Sequence, residues 1–497
     1  MLDMNPMLLC DTYKTVHNMM YPEGLEYLVS YWVPRKSYFE KEGNQKMVWF
    51  GLQAFIKEYL VDYFEKNFFK KNLKSVLNEY KTYMNVQLGS GSYKIEHIEK
   101  LHKLGYLPLQ INALPEGSIV NMGVPCIEIK NTHPEFAWLV QWIECILQSE
   151  LWKISNHATI GHMYYKLAKY WYDGTVDDDV DVRNAMSDFG MRGMSCIEES
   201  ARCSSAWLLS FNKTSTIPSL KYINEYYDAD CSYHHIGCGA VSTEHSVMGA
   251  NFAIDGDEKT FVKRLLTELY PNSSFSMVSD TYDYWNMVNN ILPSLKEDVL
   301  NHNGKLLIRP DSGDQFTVTV DTVQSLWNTF GGTINKKGFK VLNPHIGVIL
   351  GDGCTLNVVG KIWKELYHRG FAANNVVFGV GAFCFSAVFE NDRMIINTRD
   401  MFGCACKATF GIIDGKELFI FKDPKTDTSK LKKSHKGLIF VEKTDNGFVA
   451  TDGFNYKSLK EYIEEGHKNA MHLVFRNGIL YNEECFTTIR ERLANEK

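Results

Sequence analysis

The chain has 497 residues, of which 45% are hydrophobic and 13% aromatic, so it can bury a large core and should divide into two or three domains. Its formal net charge of −6 excludes a protein that coats nucleic acid. Twelve cysteines follow no disulfide spacing, and the longest apolar run, 376–389, is too short to cross a membrane. We expect a cytoplasmic protein that binds neither nucleic acid nor membranes.

The first 150 residues combine strand and helix patterns. Strand patterns lie at 27–33 and 127–129, and helix patterns at 50–69, 95–104 and 134–151; a further helix pattern at 155–172 follows this part. In the third of these helices, Pro134 suits a first turn, and Trp138 and Trp142 recur at helical spacing. We expect residues 1–150 to form one part of a composite α+β domain.

Residues 151–385 are expected to form a (β/α) barrel-like domain. Within them, 186–193 (MSDFGMRG) precede a helix that a capping box of Ser195 and Glu198 should open. The next polar loop, STEHS, places Glu244 beside His245. His245 is either a satisfied structural histidine or a nucleophile or acid–base group that the carboxylate orients. Phe189 is either a core ring at a tight turn or a surface that stacks on a flat heterocycle.

Between Phe275 and Ala382 the chain repeats one arrangement four times: an apolar strand, a short loop and a helix. The four segments are SMVSDTYD (276–283), LLIRPDSGD (306–314), VILGDGCT (348–355) and VVFGVGAF (376–383). Such apolar runs are typical of parallel strands buried on both faces, whose carboxyl ends meet at one edge of the sheet. We therefore predict one pocket that collects the loop residues Asp280, Arg309, Asp311, Asp352, Gly379 and Gly381.

The residue types in these loops suit a phosphorylated sugar. Arg309 can hold phosphate with two parallel hydrogen bonds, and Asp311 can bind a ribose hydroxyl or Mg²⁺. A surface turn with a salt bridge is the competing interpretation. The GDG at 351–353 and the FGVG at 378–381 are weak phosphate-binding signals alone, but they recur at neighbouring strand ends. Neither matches GxGxxG, which disfavours a dinucleotide-binding oxidoreductase.

Residues 386–497 change to strands and turns. Strand patterns lie at 407–413, 417–421 and 437–441, around a lysine-rich loop at 422–436. That loop is either a solvated face or an attraction for polyphosphate. We expect this part to fold back on residues 1–150 and complete the composite α+β domain.

Taken together, these segments resemble the nicotinamide phosphoribosyltransferase family of type II phosphoribosyltransferases over nearly the whole chain. The matching stretches are CDTYKTVHNMMYP (10–22), LPEG (114–117), NTHPEFAWLVQWIECIL (131–147), SDFGMRG (187–193), STEHS (242–246), VSDTYD (278–283), IRPDSG (308–313), LGDG (350–353), FGVG (378–381), TRD (398–400) and FKDP (421–424). The resemblance implies transfer of phosphoribose from phosphoribosyl pyrophosphate to nicotinamide in NAD salvage, with Mg²⁺ and with ATP as co-substrate.

The resemblance also implies a homodimer whose subunits share their active sites. His245, steered by Glu244, would be phosphorylated by ATP, and Asp280 and Asp311 would bind the ribose or its Mg²⁺. The implied pyridine-binding residues are Phe189, Arg309, Ser215, Ser276, Asp11 and Tyr13, the last from the partner subunit. The implied phosphoribosyl and pyrophosphate ligands are Arg192, Asp352, Gly353, Gly381, Arg399, Lys407, Lys422, Lys430 and Arg35, the last again from the partner.

Two departures from the family pattern bear on the function. Ser215 occupies a position where the nicotinamide enzymes carry an Asp that accepts a hydrogen bond from the amide and repels a carboxylate, so nicotinate is the alternative substrate. A segment at 389–397 looks inserted near the phosphate rim, and the placement of Arg399 depends on it. A nucleotide-binding protein without catalysis is a third hypothesis, which the set of Asp280, Arg309, Asp311 and His245 opposes.

Overall fold

The computed structural model describes residues 3–426 and 433–496. The chain divides into two compact units, each with its own sheet. The first unit comprises 1–159, 225–229 and 397–497, and the second comprises 160–224 and 230–396. The predicted fold class is confirmed, because one unit is α/β with a parallel sheet and the other is built from both chain ends. No helix within the described ranges has the length and apolar character needed to span a bilayer.

The first unit is centred on a seven-stranded antiparallel sheet. Its strand order is Lys416–Phe419, Ala405–Ile413, Leu25–Val33, Ile127–Asn131, Leu109–Ala113, His472–Arg476 and Ile479–Leu480. The pairing of Leu25–Val33 with Ala405–Ile413 joins the two ends of the chain. Leu28, Trp32 and Phe410 on these strands are fully buried, so apolar packing holds the two ends together.

Smaller strand pairs and helices complete the first unit. The strand pairs are Lys46–Val48 with Ile119–Asn121 and Leu438–Thr444 with Gly447–Phe454. The longer helices are Thr12–Met19, Leu52–Phe55, Ile56–Tyr63, Glu65–Phe69, Leu73–Leu88, Glu96–Leu104, Leu139–Trp142, Tyr456–Glu464 and Phe486–Asn495. Single helical turns lie at Pro6–Leu8, Glu42–Asn44, Pro134–Phe136 and Arg399–Met401.

The prediction of two separate helices over 134–151 and 155–172 is wrong. After short turns up to Trp142, one continuous helix runs over Glu144–Thr175. Ser155 seemed to mark a helix start, but its hydroxyl donates to Phe50 O at 2.9 Å and accepts from Phe50 N at 3.3 Å. The serine therefore serves a tertiary contact in the middle of the helix, where no proline interrupts the backbone hydrogen bonds.

The second unit contains a seven-stranded sheet in which every neighbouring pair is parallel. Its strand order is Lys213–Thr214, Met186–Asp188, Val376–Val380, Ile346–Leu350, Leu306–Arg309, Phe275–Val278 and Val241–Ser242. Two short pairs flank it, Gly332–Ile334 with Lys340–Leu342 and Ala387–Glu390 with Arg393–Ile396. The second of these hairpins is formed by the segment that looked inserted near 389–397.

Helices connect these parallel strands, as crossover connections require. They are Ile197–Trp207, Ile217–Tyr227, Cys231–His234, His245–Asp255, Glu258–Arg264, Leu265–Leu269, Tyr284–Asn286, Met287–Ile291, Leu292–Ser294, Lys296–Asn301, Gln315–Phe330, Leu356–His368 and Ala382–Ser386, with single turns at Val182–Asn184, Met191–Gly193 and Ala373–Asn375.

The predicted capping box of Ser195 and Glu198 is also wrong. Cys196 is the N-cap of the helix Ile197–Trp207, and its Sγ accepts from the Glu199 N–H at 3.4 Å. Ser195 instead donates its N–H and its hydroxyl to the Glu199 carboxylate. Because Cys196 is extended, with φ −158° and ψ 170°, the helix begins one residue later than the spacing suggested.

Candidate active site

The polar loops predicted from the sequence follow the carboxyl ends of the strands in the parallel sheet. Because all neighbours run parallel, these ends share one edge. Across the sheet the loop residues are, in order, Ser215, Phe189, Gly381, Asp352 with Gly353, Arg309 with Asp311, Asp280, and Glu244 with His245. Residues that are far apart in sequence therefore lie at the same edge of one sheet.

His245 faces two carboxylates. Its Nε2 lies 3.4 Å from Asp311 Oδ2 and 3.8 Å from Asp280 Oδ1, while its Nδ1 lies 3.1 Å from Thr281 Oγ1. The ring is about half exposed, and it occupies the first position of the helix His245–Asp255. Contact with Thr281 orients the ring, so that one nitrogen is directed at the acidic pair. Glu244 accepts a hydrogen bond from the Ser246 hydroxyl.

Asp280 connects two of the strand-end loops. Its Oδ2 accepts from the Asp311 N–H at 3.2 Å and from the Ser312 hydroxyl. Its side chain is 5% exposed, and its Oδ1 is buried without a hydrogen-bond partner among the described residues. An ionised carboxylate oxygen in that situation is costly unless a cation or a hydroxyl approaches it. The loop therefore presents an unsatisfied acceptor beside His245.

Arg309 is held by the end of the edge strand Val241–Ser242. Its Nη1 donates to Ser242 Oγ at 3.1 Å and its Nη2 donates to Thr243 O at 3.2 Å. Its Nε lies 4.0 Å from Asp311 Oδ1 and is buried without a hydrogen-bond partner in the described part of the chain. Ser276, which is buried, supports the arrangement by donating to Ser242 Oγ at 2.6 Å. The guanidinium thus keeps one orientation.

The Phe189 ring lies directly over two glycines. A Cβ at Gly379 would meet the ring, with Cζ at 2.8 Å and two further ring carbons closer, and a Cβ at Gly351 would stand 3.4 Å from Cε2. The Phe189 N–H donates to Val380 O at 2.9 Å, which holds the backbone against the neighbouring strand. The ring is half-buried. Glycine is therefore required at 379 for the ring to occupy this place.

The glycine loops leave space around the middle of the edge. Gly353 adopts φ +63°, which favours glycine, and a Cβ at Gly381 would meet nothing within 4 Å. Thr355 caps the helix Leu356–His368 through a hydrogen bond to the Val358 N–H at 3.3 Å. Asp352 and Arg192 are both exposed. A helix N-terminus beside open glycine backbone is suited to an anion such as phosphate.

The remaining predicted pyridine-binding residue of this unit, Ser215, is exposed, and its N–H donates to Asp188 O at 2.9 Å.

The other two predicted pyridine-binding residues, Asp11 and Tyr13, belong to the first unit. Tyr13 is 55% exposed and packs on His17 with ring centroids 5.1 Å apart. Asp11 is exposed, and its carboxylate accepts from Cys145 Sγ at 3.5 Å.

Two of the predicted phosphate ligands line one cavity within the first unit. This cavity of about 340 Å³ has Arg35, Lys407, Lys433 and His435 in its wall. Arg35 Nε donates to Gly403 O at 2.9 Å. Asp452 also lines the cavity and lies 3.1 Å from His435 Nδ1, so its wall carries basic and acidic side chains.

Lys407 is paired with an acid that the sequence analysis passed over. Its Nζ lies 2.9 Å from Glu144 Oε1, and Lys14 Nζ lies 2.7 Å from Glu144 Oε2. Burial alone would raise the pKa of Glu144, but the two lysines outweigh it and lower the pKa. Arg399 is exposed at the start of a helical turn, Lys422 is exposed with its backbone bonded to Ser434, and Lys430 lies outside the described residues.

Known proteins that resemble this chain match it over nearly its whole length. Residues 184–450 match the nicotinate phosphoribosyltransferase (NAPRTase) family, and residues 5–111 match the nicotinamide phosphoribosyltransferase N-terminal domain. A nicotinamide phosphoribosyltransferase of Acinetobacter baylyi is 38% identical, with 99% of this chain and 97% of that protein covered. A nicotinamide phosphoribosyltransferase of Mycoplasma pneumoniae is 30% identical, with 85% of this chain and 93% of that protein covered.

A solved structure supports the fold. The crystal structure of human nicotinic acid phosphoribosyltransferase superposes with a TM-score of 0.57 at 13% identity, covering 98% of this chain and 93% of that one. The family match and the relatives show an enzyme of the phosphoribosyltransferase class, a group of pentosyltransferases. The chain belongs to the nicotinate phosphoribosyltransferase family, whose members serve NAD biosynthesis.

Proposed function

We propose that this enzyme transfers the phosphoribosyl group of phosphoribosyl pyrophosphate to nicotinamide, giving nicotinamide mononucleotide and pyrophosphate. The observation that carries the proposal is the gathering of the Phe189 ring, the fixed Arg309 guanidinium and the Asp280–Asp311 pair at one sheet edge. The names of the relatives from Acinetobacter and Mycoplasma support nicotinamide as the base.

The reaction needs positioning more than proton transfer. The pyridine nitrogen forms a bond to the anomeric carbon of the ribose, and the bond from that carbon to the pyrophosphate oxygen breaks, with the electron pair leaving on pyrophosphate. The nitrogen carries no proton, so no general base is required. Phe189 would stack on the ring, and Arg309 would hold its amide oxygen. Asp280 and Asp311 would stabilise the positive charge that develops on the sugar.

The same acidic pair fits Mg²⁺. Mg²⁺ prefers carboxylate oxygens and is usually held by one or two of them together with substrate phosphates. The buried Oδ1 of Asp280, which has no hydrogen-bond partner among the described residues, is an acceptor of the right kind. Within the same ranges no group of three or more His, Cys, Asp or Glu side chains is arranged as a metal site, so the substrate would complete the coordination. When bound, Mg²⁺ would neutralise the charge of the leaving pyrophosphate.

The exposed His245 supports assistance by ATP. The γ-phosphoryl group of ATP would move to a ring nitrogen of His245 with release of ADP. The negative charge of the phosphorylated His245 would then act beside the pyrophosphate site until water hydrolyses the phosphoryl group. His245→Ala should abolish stimulation by ATP and leave basal transfer. Stimulation that persists in this variant would remove the phosphohistidine from the mechanism.

The enzyme is further proposed to be a cytoplasmic homodimer. Tyr13 and Arg35 of one subunit would then complete the active site of the other. Mixing a Phe189→Ala subunit with a Tyr13→Ala subunit tests this, because sharing predicts that mixed dimers regain about one intact site of two. Complementation that fails in verified mixed dimers would argue for sites within single subunits.

Nicotinate is the second candidate base, because Ser215 is exposed at the strand end beside Phe189 and carries no charge to repel a carboxylate. The deciding experiment offers both bases with phosphoribosyl pyrophosphate and identifies the mononucleotide by mass. Nicotinamide mononucleotide as the main product supports the proposal, and nicotinate mononucleotide alone would replace it with the second candidate.

A further inference from the structure

Asp188 is a buried acid that the mechanism above does not use. Its side chain is 1% exposed, although it directly precedes Phe189 at the end of the strand Met186–Asp188. Four donors surround its carboxylate. Oδ2 accepts from the hydroxyls of Ser204 at 2.6 Å, Thr214 at 2.8 Å and Thr216 at 3.0 Å, and Oδ1 accepts from the Gly190 N–H at 2.7 Å.

These donors come from three separate segments. Gly190 belongs to the loop that carries Phe189, whereas Thr214 and Thr216 lie on either side of Ser215. Backbone pairing adds to the link, since Asp188 is in register with Thr214 in the parallel sheet and its carbonyl accepts from the Ser215 N–H at 2.9 Å. The Asp188 carboxylate is thus hydrogen-bonded both to the loop that carries Phe189 and to the loop that carries Ser215.

The hydrogen bonds that the Asp188 carboxylate accepts belong to a strong class. Hydrogen bonds to an ionised carboxylate are shorter and about twice as strong as neutral ones, and burial strengthens them further. The Thr214 hydroxyl also accepts from the Thr216 N–H at 2.9 Å. The turn around Ser215 therefore has an internal hydrogen bond in addition to its bonds to Asp188. One hydrogen-bonded unit therefore contains the turn Thr214–Thr216, Asp188 and the loop that carries Phe189.

We propose that Asp188 is a positioning residue for the base, which sets the separation of the Phe189 ring and Ser215 and hence the fit of the pyridine ring and its substituent. This inference rests on the proposed function. It assigns Asp188 no contact with the sugar or its phosphates, so the carboxylate should act on the binding of the base and leave the affinity for phosphoribosyl pyrophosphate unchanged.

The test compares two variants with one matched control. Asp188→Asn keeps the shape, but its NH₂ cannot accept from the hydroxyls. Thr216→Val keeps the volume, leaves the Asp188 carboxylate in place and removes one hydrogen bond at a fully buried position. The control is Thr319→Val, which makes the same change at a fully buried threonine whose hydroxyl has no hydrogen-bond partner among the described residues.

We expect Asp188→Asn to raise the KM for the base about tenfold, equivalent to about 1.4 kcal/mol, and Thr216→Val to raise it about threefold. The KM for phosphoribosyl pyrophosphate should stay within about twofold in both, and Thr216→Ser, which restores a hydroxyl, should return the base KM toward the wild-type value. Should Asp188→Asn not fold, Thr216→Val alone decides.

Two results would overturn the inference. One is an unchanged base KM in Thr216→Val with only a lower melting temperature, which would make the cluster merely structural. The other is an equal rise in both KM values. Failure of the proposed function looks different, because the wild-type enzyme would then form no mononucleotide from either base.

Discussion

Gly379→Ala is the sharpest test of the proposed stacking role of Phe189. The glycine φ lies outside the left-handed region, so alanine meets no backbone obstacle. The obstacle is the Phe189 ring, because the new Cβ would stand 2.8 Å from Cζ and nearer still to two other ring carbons. Carbon atoms in contact keep about 3.5–4.0 Å, so the ring has to move by about 1 Å or more.

The displaced ring should no longer stack on the base. We expect the KM for the base to rise about tenfold, the equivalent of about 1.4 kcal/mol, and the unfolding free energy to fall by about 1–3 kcal/mol through overpacking. Steady-state kinetics with varied base and chemical denaturation measure the two effects. Gly360→Ala is the matched control, because its Cβ would meet only Leu167 Cδ1 at 3.8 Å, an ordinary contact.

A double-mutant cycle makes this prediction refutable. In a Phe189→Ala background the ring is gone, so Gly379→Ala should change the base KM no further. If Gly379→Ala raises the KM by the same factor in both backgrounds, then its effect does not pass through Phe189 and the stacking argument is incorrect.

Three further predictions follow from other parts of the structure. Burial raises the pKa of Glu116 to about 7, above the ordinary 4.5, so the folded protein keeps a proton that the unfolded chain releases. Glu116 alone therefore lowers the unfolding free energy by about 3 kcal/mol between pH 4.5 and 7, whereas His97 and His162, whose pKa values burial lowers to about 4, raise it over much of the same range. The difference in unfolding free energy between the wild type and Glu116→Gln, measured by denaturation across this range, should change by the Glu116 amount. Arg309→Lys should raise the base KM at least about fivefold, because an ammonium group cannot reach both Ser242 and the Thr243 carbonyl, and an unchanged KM would exclude the fork geometry. Thr355→Ala should lower the melting temperature by removing an N-cap of about 1 kcal/mol, which calorimetry checks against Thr355→Ser.

Much of the α/β unit was predictable because its strands carry a strong local signal. The apolar runs before Asp280, Arg309, Asp352 and Gly381 are strands that neighbour one another in the parallel sheet. Their order along the sheet, however, depends on pairing between distant segments, which local patterns do not encode. The edge strands Val241–Ser242 and Lys213–Thr214 have only two residues each and carry no periodicity at all.

The errors arose where the hydrogen-bond partner of a serine differs from the one that its sequence context indicates. Ser155 resembled a helix start but is bonded to the backbone of Phe50, and Ser195 resembled an N-cap although the cap is Cys196. Glu144 escaped notice for a related reason. A single acid in an apolar helix has no pattern, and its pairing with Lys14 and Lys407 exists only in the folded chain.

The most direct test of the account is the product formed from phosphoribosyl pyrophosphate, Mg²⁺ and an equimolar mixture of the two bases. The gathering of strand ends around Phe189, Arg309 and the Asp280–Asp311 pair predicts a pyridine mononucleotide and stoichiometric pyrophosphate, and the names of the relatives predict nicotinamide mononucleotide as the main product. An enzyme that is folded and binds phosphoribosyl pyrophosphate, yet releases no mononucleotide of either base, would contradict it.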